Sequence, residues 1–119
     1  MSFDWKRGAL AEGLFCYRRE AFFDAHEHWE SVWLGLEEPE KSFLQALIQM
    51  TAAFHHLKNG NSAGAVSLLR RTRRRIETCP PSFGGIAVDS ICSEVGDWLR
   101  ALESGSSQPG AFPQIIPMD

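Results

Sequence analysis

The chain has 119 residues, 44% of them hydrophobic and 23% charged, with a formal net charge of −3. That length supports one hydrophobic core and leaves too few residues for a second. The balance excludes a disordered chain, which needs low hydrophobicity and high net charge, and no apolar run approaches the ~20 residues of a membrane-spanning helix.

Apolar spacing is helical nearly everywhere. Leu10, Leu14 and Tyr17 recur at i, i+4 and i+7, predicting a first helix over residues 4–18. The stretch Arg19 to Phe22 turns the chain. Phe22, Trp29, Trp33 and Leu36 mark a second helix over 22–35, which Gly35 and Pro39 end. Residues 42–59 form the most apolar segment, with Phe43, Leu47, Met50, Phe54 and Leu57 on one stripe and Leu44, Ile48 and Ala52 on another. A helix apolar on two sides is central. Gly60 stops it, and Asn61 is placed to cap a fourth helix over 62–77. Pro80, Pro81, Gly84 and Gly85 make a loop, after which Asp89 or Ser90 caps a fifth helix through Leu102. The expected fold is all-α: one domain of five helices over 1–103 with short connections, then an irregular tail over 104–119 that Phe112, Ile115 and Ile116 could dock. Trp5, Trp29, Trp33 and Trp98 are the expected core anchors.

The second helix carries the chemistry. At about 100° per residue, His26 falls within the aromatic stripe of Phe22, Trp29 and Trp33, and Glu30 lies on its shoulder one turn on. Glu27, His28 and Ser31 face elsewhere. Burying an imidazole and a carboxylate without partners costs several kcal/mol (roughly 2–7 even for a neutral polar group), so each needs one. A structural hydrogen-bonded pair meets that need, and so does a metal ion. The i, i+4 spacing resembles that of zinc-protease helices, but the residues read His-Glu-x-x-Glu, so that signature is not met. A third ligand must come from another helix, and His55 and His56 at the end of helix three are the available histidines. The sequence leaves open which of the two faces His26. The expected metal set is therefore His26, Glu30 and His55 or His56, with Glu27, Gln45 and Gln49 beside it. Zn, Mn, Fe and Ni all suit such mixed donors.

Charge is uneven. Residues 1–40 sum to −5, residues 41–77 to +6 and residues 78–119 to −4. Arg70, Arg71, Arg73, Arg74 and Arg75 crowd one stretch near a helix end, where cations suit the macrodipole. No nucleic-acid motif accompanies them, so nucleic acid is not an expected partner, and a solvated or intersubunit face is. Cys16, Cys79 and Cys92 form no CxxC pair, and residues 1–23 carry acids among their apolar residues, unlike a secretory leader. Both features point to a cytoplasmic protein with reduced thiols and no membrane contact. Phosphate-binding glycine loops and the Gly-x-Ser-x-Gly elbow are absent.

The run Phe22-Phe-Asp-Ala-His-Glu-His-Trp-Glu, with His26, Glu30 and Trp33 in a His-x3-Glu-x2-Trp pattern, resembles domain-of-unknown-function family 309. So do Phe43-Leu-Gln-Ala-Leu-Ile-Gln with His55-His56, and Gly60-Asn61 followed by Gly64-Ala65 and Leu68-Leu69. The resemblance spans residues 10–102 and departs from the family at Ala46, where a glycine is usual. It implies an all-helical bundle, a homodimer, and a metal or active site at His26 and Glu30. The residues and the resemblance together suggest a divalent-metal-binding protein suited to hydrolysis, of unidentified substrate. The rival reading is a non-catalytic helical interaction module in which His26 and Glu30 are a buried structural pair.

Overall fold

The computed structural model describes residues 3–105 and 109–118. Five helices follow one another: α1 (Gly8–Arg18), α2 (Phe22–Trp33), α3 (Glu40–Lys58), α4 (Ser62–Ile76) and α5 (Val88–Ser104). Between α4 and α5 lies a small antiparallel hairpin, β1 (Ser82–Phe83) and β2 (Ile86–Ala87). The stretch expected as a plain loop is thus a turn of two residues. Gly84 and Gly85 supply its positive φ of 60° and 77°, the backbone a right-twisted hairpin needs.

Each helix packs on the next in sequence, α1 on α2, α2 on α3, α3 on α4 and α4 on α5. The central role of α3 follows from its composition, since Phe43, Leu44, Ala46, Leu47, Met50, Ala53 and Phe54 are all fully buried. Its hydroxyl at Thr51 is satisfied within the helix, donating to the Leu47 carbonyl at 2.8 Å. The cap on α4 is as the sequence predicts: the Asn61 side chain accepts from the Gly64 amide at 2.9 Å. The start of α5 is not. It begins at Val88, one residue ahead of Asp89, and no side chain caps it. The first helix also starts later than the spacing suggests, because Trp5 leaves the helical stripe to pack against Gly84, whose carbonyl accepts its N–H at 2.7 Å.

Two close approaches fix the aromatic core. Gly13 of α1 faces Trp29 of α2 so tightly that an added Cβ would sit 2.2 Å from the indole nitrogen. That indole donates to the Leu10 carbonyl at 3.2 Å, and its ring packs against Trp5 and Tyr17. The described part of the tail, 109–118, is docked. Phe112 stacks on Trp98 with centroids 5.0 Å apart, and Tyr17 donates its hydroxyl to the Pro113 carbonyl at 2.5 Å. Ile115 is buried whereas Ile116 is exposed, so only one of the two adjacent isoleucines anchors the tail. The Met118 amide donates to the Gly85 carbonyl, closing the tail onto the hairpin. Residues 1–2, 106–108 and 119 of the two expected segments lie outside the described residues.

Candidate functional site

Helix α2 places Phe22, Ala25 and Trp29 in the core and turns His26, Glu30 and Trp33 toward its edge. Helix α3 presents Gln45, Ile48, Gln49 and Ala52, spaced i, i+3, i+4 and i+7 and hence on one face. Helix α4 adds Leu68 and Arg71. Together these nine residues line a cleft of about 380 Å³ between three helices. The small side chain of Ala52 and the unbranched ones of Gln45 and Gln49 leave that space open.

His26 and Glu30 meet within it, with Nε2 3.0 Å from the carboxylate Oε2. They are less buried than their place on the helix suggests. The His26 side chain is 29% exposed and that of Glu30 is 50% exposed, because the cleft and not the core lies over them. Trp33 is likewise only partly buried, with the Lys41 ammonium 4.5 Å from its ring centroid, so it is not the core anchor the aromatic stripe implies.

Three buried side-chain polar atoms have no hydrogen-bond partner among the described residues: Nδ1 of His26, Nε1 of Trp33 and Oε1 of Gln49. All three residues line this cleft. The other three indole N–H groups donate to the carbonyls of Gly84, Leu10 and Ala111. Buried polar groups are nearly always paired, so three orphans on the residues of one cleft set it apart from the rest of the described fold.

Of the residues expected beside the metal, Gln45 and Gln49 line the cleft, as do His26, Glu30 and Trp33. Glu27 is exposed on the outer side of α2 and does not. His28 also faces away, 3.4 Å from Glu12 of α1. Neither His55 nor His56 lines the cleft. The reason is register. The start of α2 meets the end of α3, with the Phe23 ring 5.5 Å from that of His55 and 6.0 Å from that of His26. The cleft therefore draws on the residues of α3 one to three turns before His55. His55 and His56 contact Asn59 and Asn61 instead. Among the described residues no group of three His, Cys, Asp or Glu side chains is placed to hold a metal ion.

Sequence reading missed Arg71. It lies three residues after Leu68, on the same side of α4, so the spacing that marks Leu68 as partly apolar also carries Arg71 to the cleft. Its neighbours behave as a solvated face: Arg70 pairs with Glu103 at 2.8 Å and Arg73 with Glu77 at 3.0 Å.

The profile of a family described as Domain of unknown function (DUF309) matches residues 10–68. The chain belongs to this family. The matched stretch holds α1 from Leu10 on, α2, α3 and the first half of α4, and ends short of the expected residue 102. Every cleft residue of the family domain is inside it except Arg71, which lies three residues beyond. A comparison with the curated proteins finds no match. No helix among the described residues is long and apolar enough to cross a membrane.

Proposed function

We propose that the cleft over His26 binds a small polar molecule and that His26, held by Glu30, is the group that moves a proton there. The concentration of all three unpartnered buried polar atoms at this one cleft carries the reading. A carboxylate 3.0 Å from Nε2 holds the ring in one orientation, as a positioned general base requires. The volume of about 380 Å³ suits a metabolite-sized ligand. The rival interaction module needs a closed pair, and the open cleft supports it less well. The test is the set of indole N–H resonances. Polar fragments that bind should shift the Trp33 signal and leave those of Trp5, Trp29 and Trp98 in place, and Gln49→Ala should weaken that binding. Fragments that bind while the Trp33 signal stays still would overturn the assignment.

A divalent ion is the second reading, favoured by the same 3.0 Å separation, which suits two donors of one ion with bonds of about 2.0–2.2 Å. His26 and Glu30 would hold it, with Gln45 or Gln49 as further oxygen donors and His55 and His56 outside the set. Such an ion, when bound, supplies an activated water, the chemistry of a hydrolase. Zn, Mn, Fe or Ni at a hundredfold excess over its dissociation constant should then add ~2.7 kcal/mol of apparent stability. His26→Ala and Glu30→Ala should abolish that gain and His28→Ala should keep it. Equal melting temperatures with ion and with chelator leave the metal-free reading. A homodimer is the assembly we favour, since Phe15, Phe23 and Leu34 are large apolar side chains left exposed on α1, on α2 and just after it. Light scattering on the purified chain tests it.

A further inference from the structure

The cleft holds a charge arrangement that narrows its ligand class. Glu30 and Arg71 both line it, yet they do not form an ion pair, so their charged ends stand more than the length of a salt bridge apart. Among the described residues Arg71 makes no ion pair or side-chain hydrogen bond at all, unlike Arg70 and Arg73 beside it. An unpaired guanidinium on a cleft wall presents a planar fork of N–H donors to an anionic oxygen pair. The buried N–H of Trp33 is a second unused donor on the same cleft. The Oε1 of Gln49, a buried residue, is by contrast an unpartnered acceptor, and the Glu30 carboxylate is an acceptor that meets His26 through Oε2 and is half exposed at the cleft. Donors suit an anion and acceptors suit a hydroxyl or an ammonium.

We infer that the ligand of this cleft is a small acid carrying both features: a carboxylate or phosphate received by Arg71, and a hydroxyl or amino group received by Gln49 and Glu30. Resting on the reading of the cleft as a ligand site, this names the substrate class. Arg71 is then a specificity-determining residue, and it lies beyond the stretch that matches the family.

Titration of the protein with malate, serine and phosphoserine, with glycerol as the neutral counterpart, decides it. The Trp33 indole resonance and the His26 ring resonances report occupancy. At least one acid should bind saturably and at least tenfold more tightly than glycerol. Arg71→Gln should weaken that acid at least tenfold, Arg71→Lys by less, and Arg74→Gln on the outer face should not change it. Arg71 is exposed, so these variants keep the fold, which the unchanged indole signals of Trp5, Trp29 and Trp98 verify. Carboxylate and phosphate are told apart by whether serine or phosphoserine binds more tightly. If glycerol binds as well as the acids, or if Arg71→Gln binds the acid like the parent, this inference falls and the cleft remains a site for neutral molecules. If neither reporter responds to any of the four compounds, the inference is overturned, while a response to neutral fragments would still uphold the cleft itself.

Discussion

Trp29 and Trp33 lie one turn apart on the same helix and have the same side chain, yet they belong to different parts of the molecule. Trp29 is fully buried, its N–H is bonded to the Leu10 carbonyl at 3.2 Å, and its ring is packed by Trp5 and Tyr17. Trp33 is partly buried, its N–H has no partner among the described residues, and its ring borders the cleft. The first is a region where, among the described residues, no buried side-chain nitrogen or oxygen lacks a partner, and packing supplies stability. The second leaves polar atoms unsatisfied, a local cost that folding alone does not explain. Stability and the proposed ligand site are thus divided between two edges of one helix.

If that division is right, the largest effect on stability comes from the Trp29 side. Trp29→Ala should lower stability by about 3–5 kcal/mol, as for other buried large aromatics. The urea midpoint measures it, provided the slope is unchanged. A loss under about 1 kcal/mol would erase the contrast. Gly13→Ala probes the same contact from the opposite helix. Its Cβ would meet the indole at 2.2 Å, so one of the two helices must move, at about 1–3 kcal/mol.

Tyr17 tests whether the docked tail belongs to the satisfied region. Tyr17→Phe removes the donor to the Pro113 carbonyl and should cost about 0.5–1.5 kcal/mol. A pH experiment complements it. Burial, and then the charge of Glu94, push the Tyr17 hydroxyl well above the ordinary tyrosine range. Its protonated form is the one the fold holds, so the contribution is complete below the unfolded value of about 10 and is lost as pH rises beyond it. Tyr17 is the single tyrosine, so tyrosinate absorbance reads this site alone. It should appear together with unfolding. Absorbance rising near pH 10 with the fold intact would show that the hydroxyl is open to solvent.

Much of this fold can be read from the residues. The i, i+4 apolar spacing gives five helices, and the doubly apolar stripe gives the central place of α3. The hairpin is missed because two strands of two residues are too short to show alternation, and the Gly84-Gly85 pair is its one local sign. His26, Glu30, Trp33, Gln45 and Gln49 are found because helical geometry fixes faces within an element. What the sequence does not hold is register between elements. A shift of one turn along α3 would put His55 or His56 where Ala52 faces the cleft, and only the packed structure selects Ala52. Arg71 is hidden for a related reason. Within a run of five arginines, composition marks a solvated face, and only the neighbouring helices make one of them a wall of the cleft.

The smallest effect on stability is expected at Trp33, and it is the sharpest probe of the comparison. Trp33→Phe removes the indole nitrogen and keeps an aromatic ring against Lys41. No hydrogen bond is broken, since that N–H has no partner among the described residues. Deleting an unsatisfied buried donor offsets the small loss of ring area, so stability should stay within about 1 kcal/mol of the parent, on either side of zero. The matched change Trp29→Phe removes the same nitrogen but orphans the Leu10 carbonyl and opens a space beside Gly13. It should cost about 1–3 kcal/mol. Ligand binding should show the opposite order, with Trp33→Phe weakening a molecule held in the cleft and Trp29→Phe leaving its affinity unchanged. Equal costs at the two positions would place Trp33 in the core, and unchanged affinity in Trp33→Phe would remove its N–H from the ligand's partners.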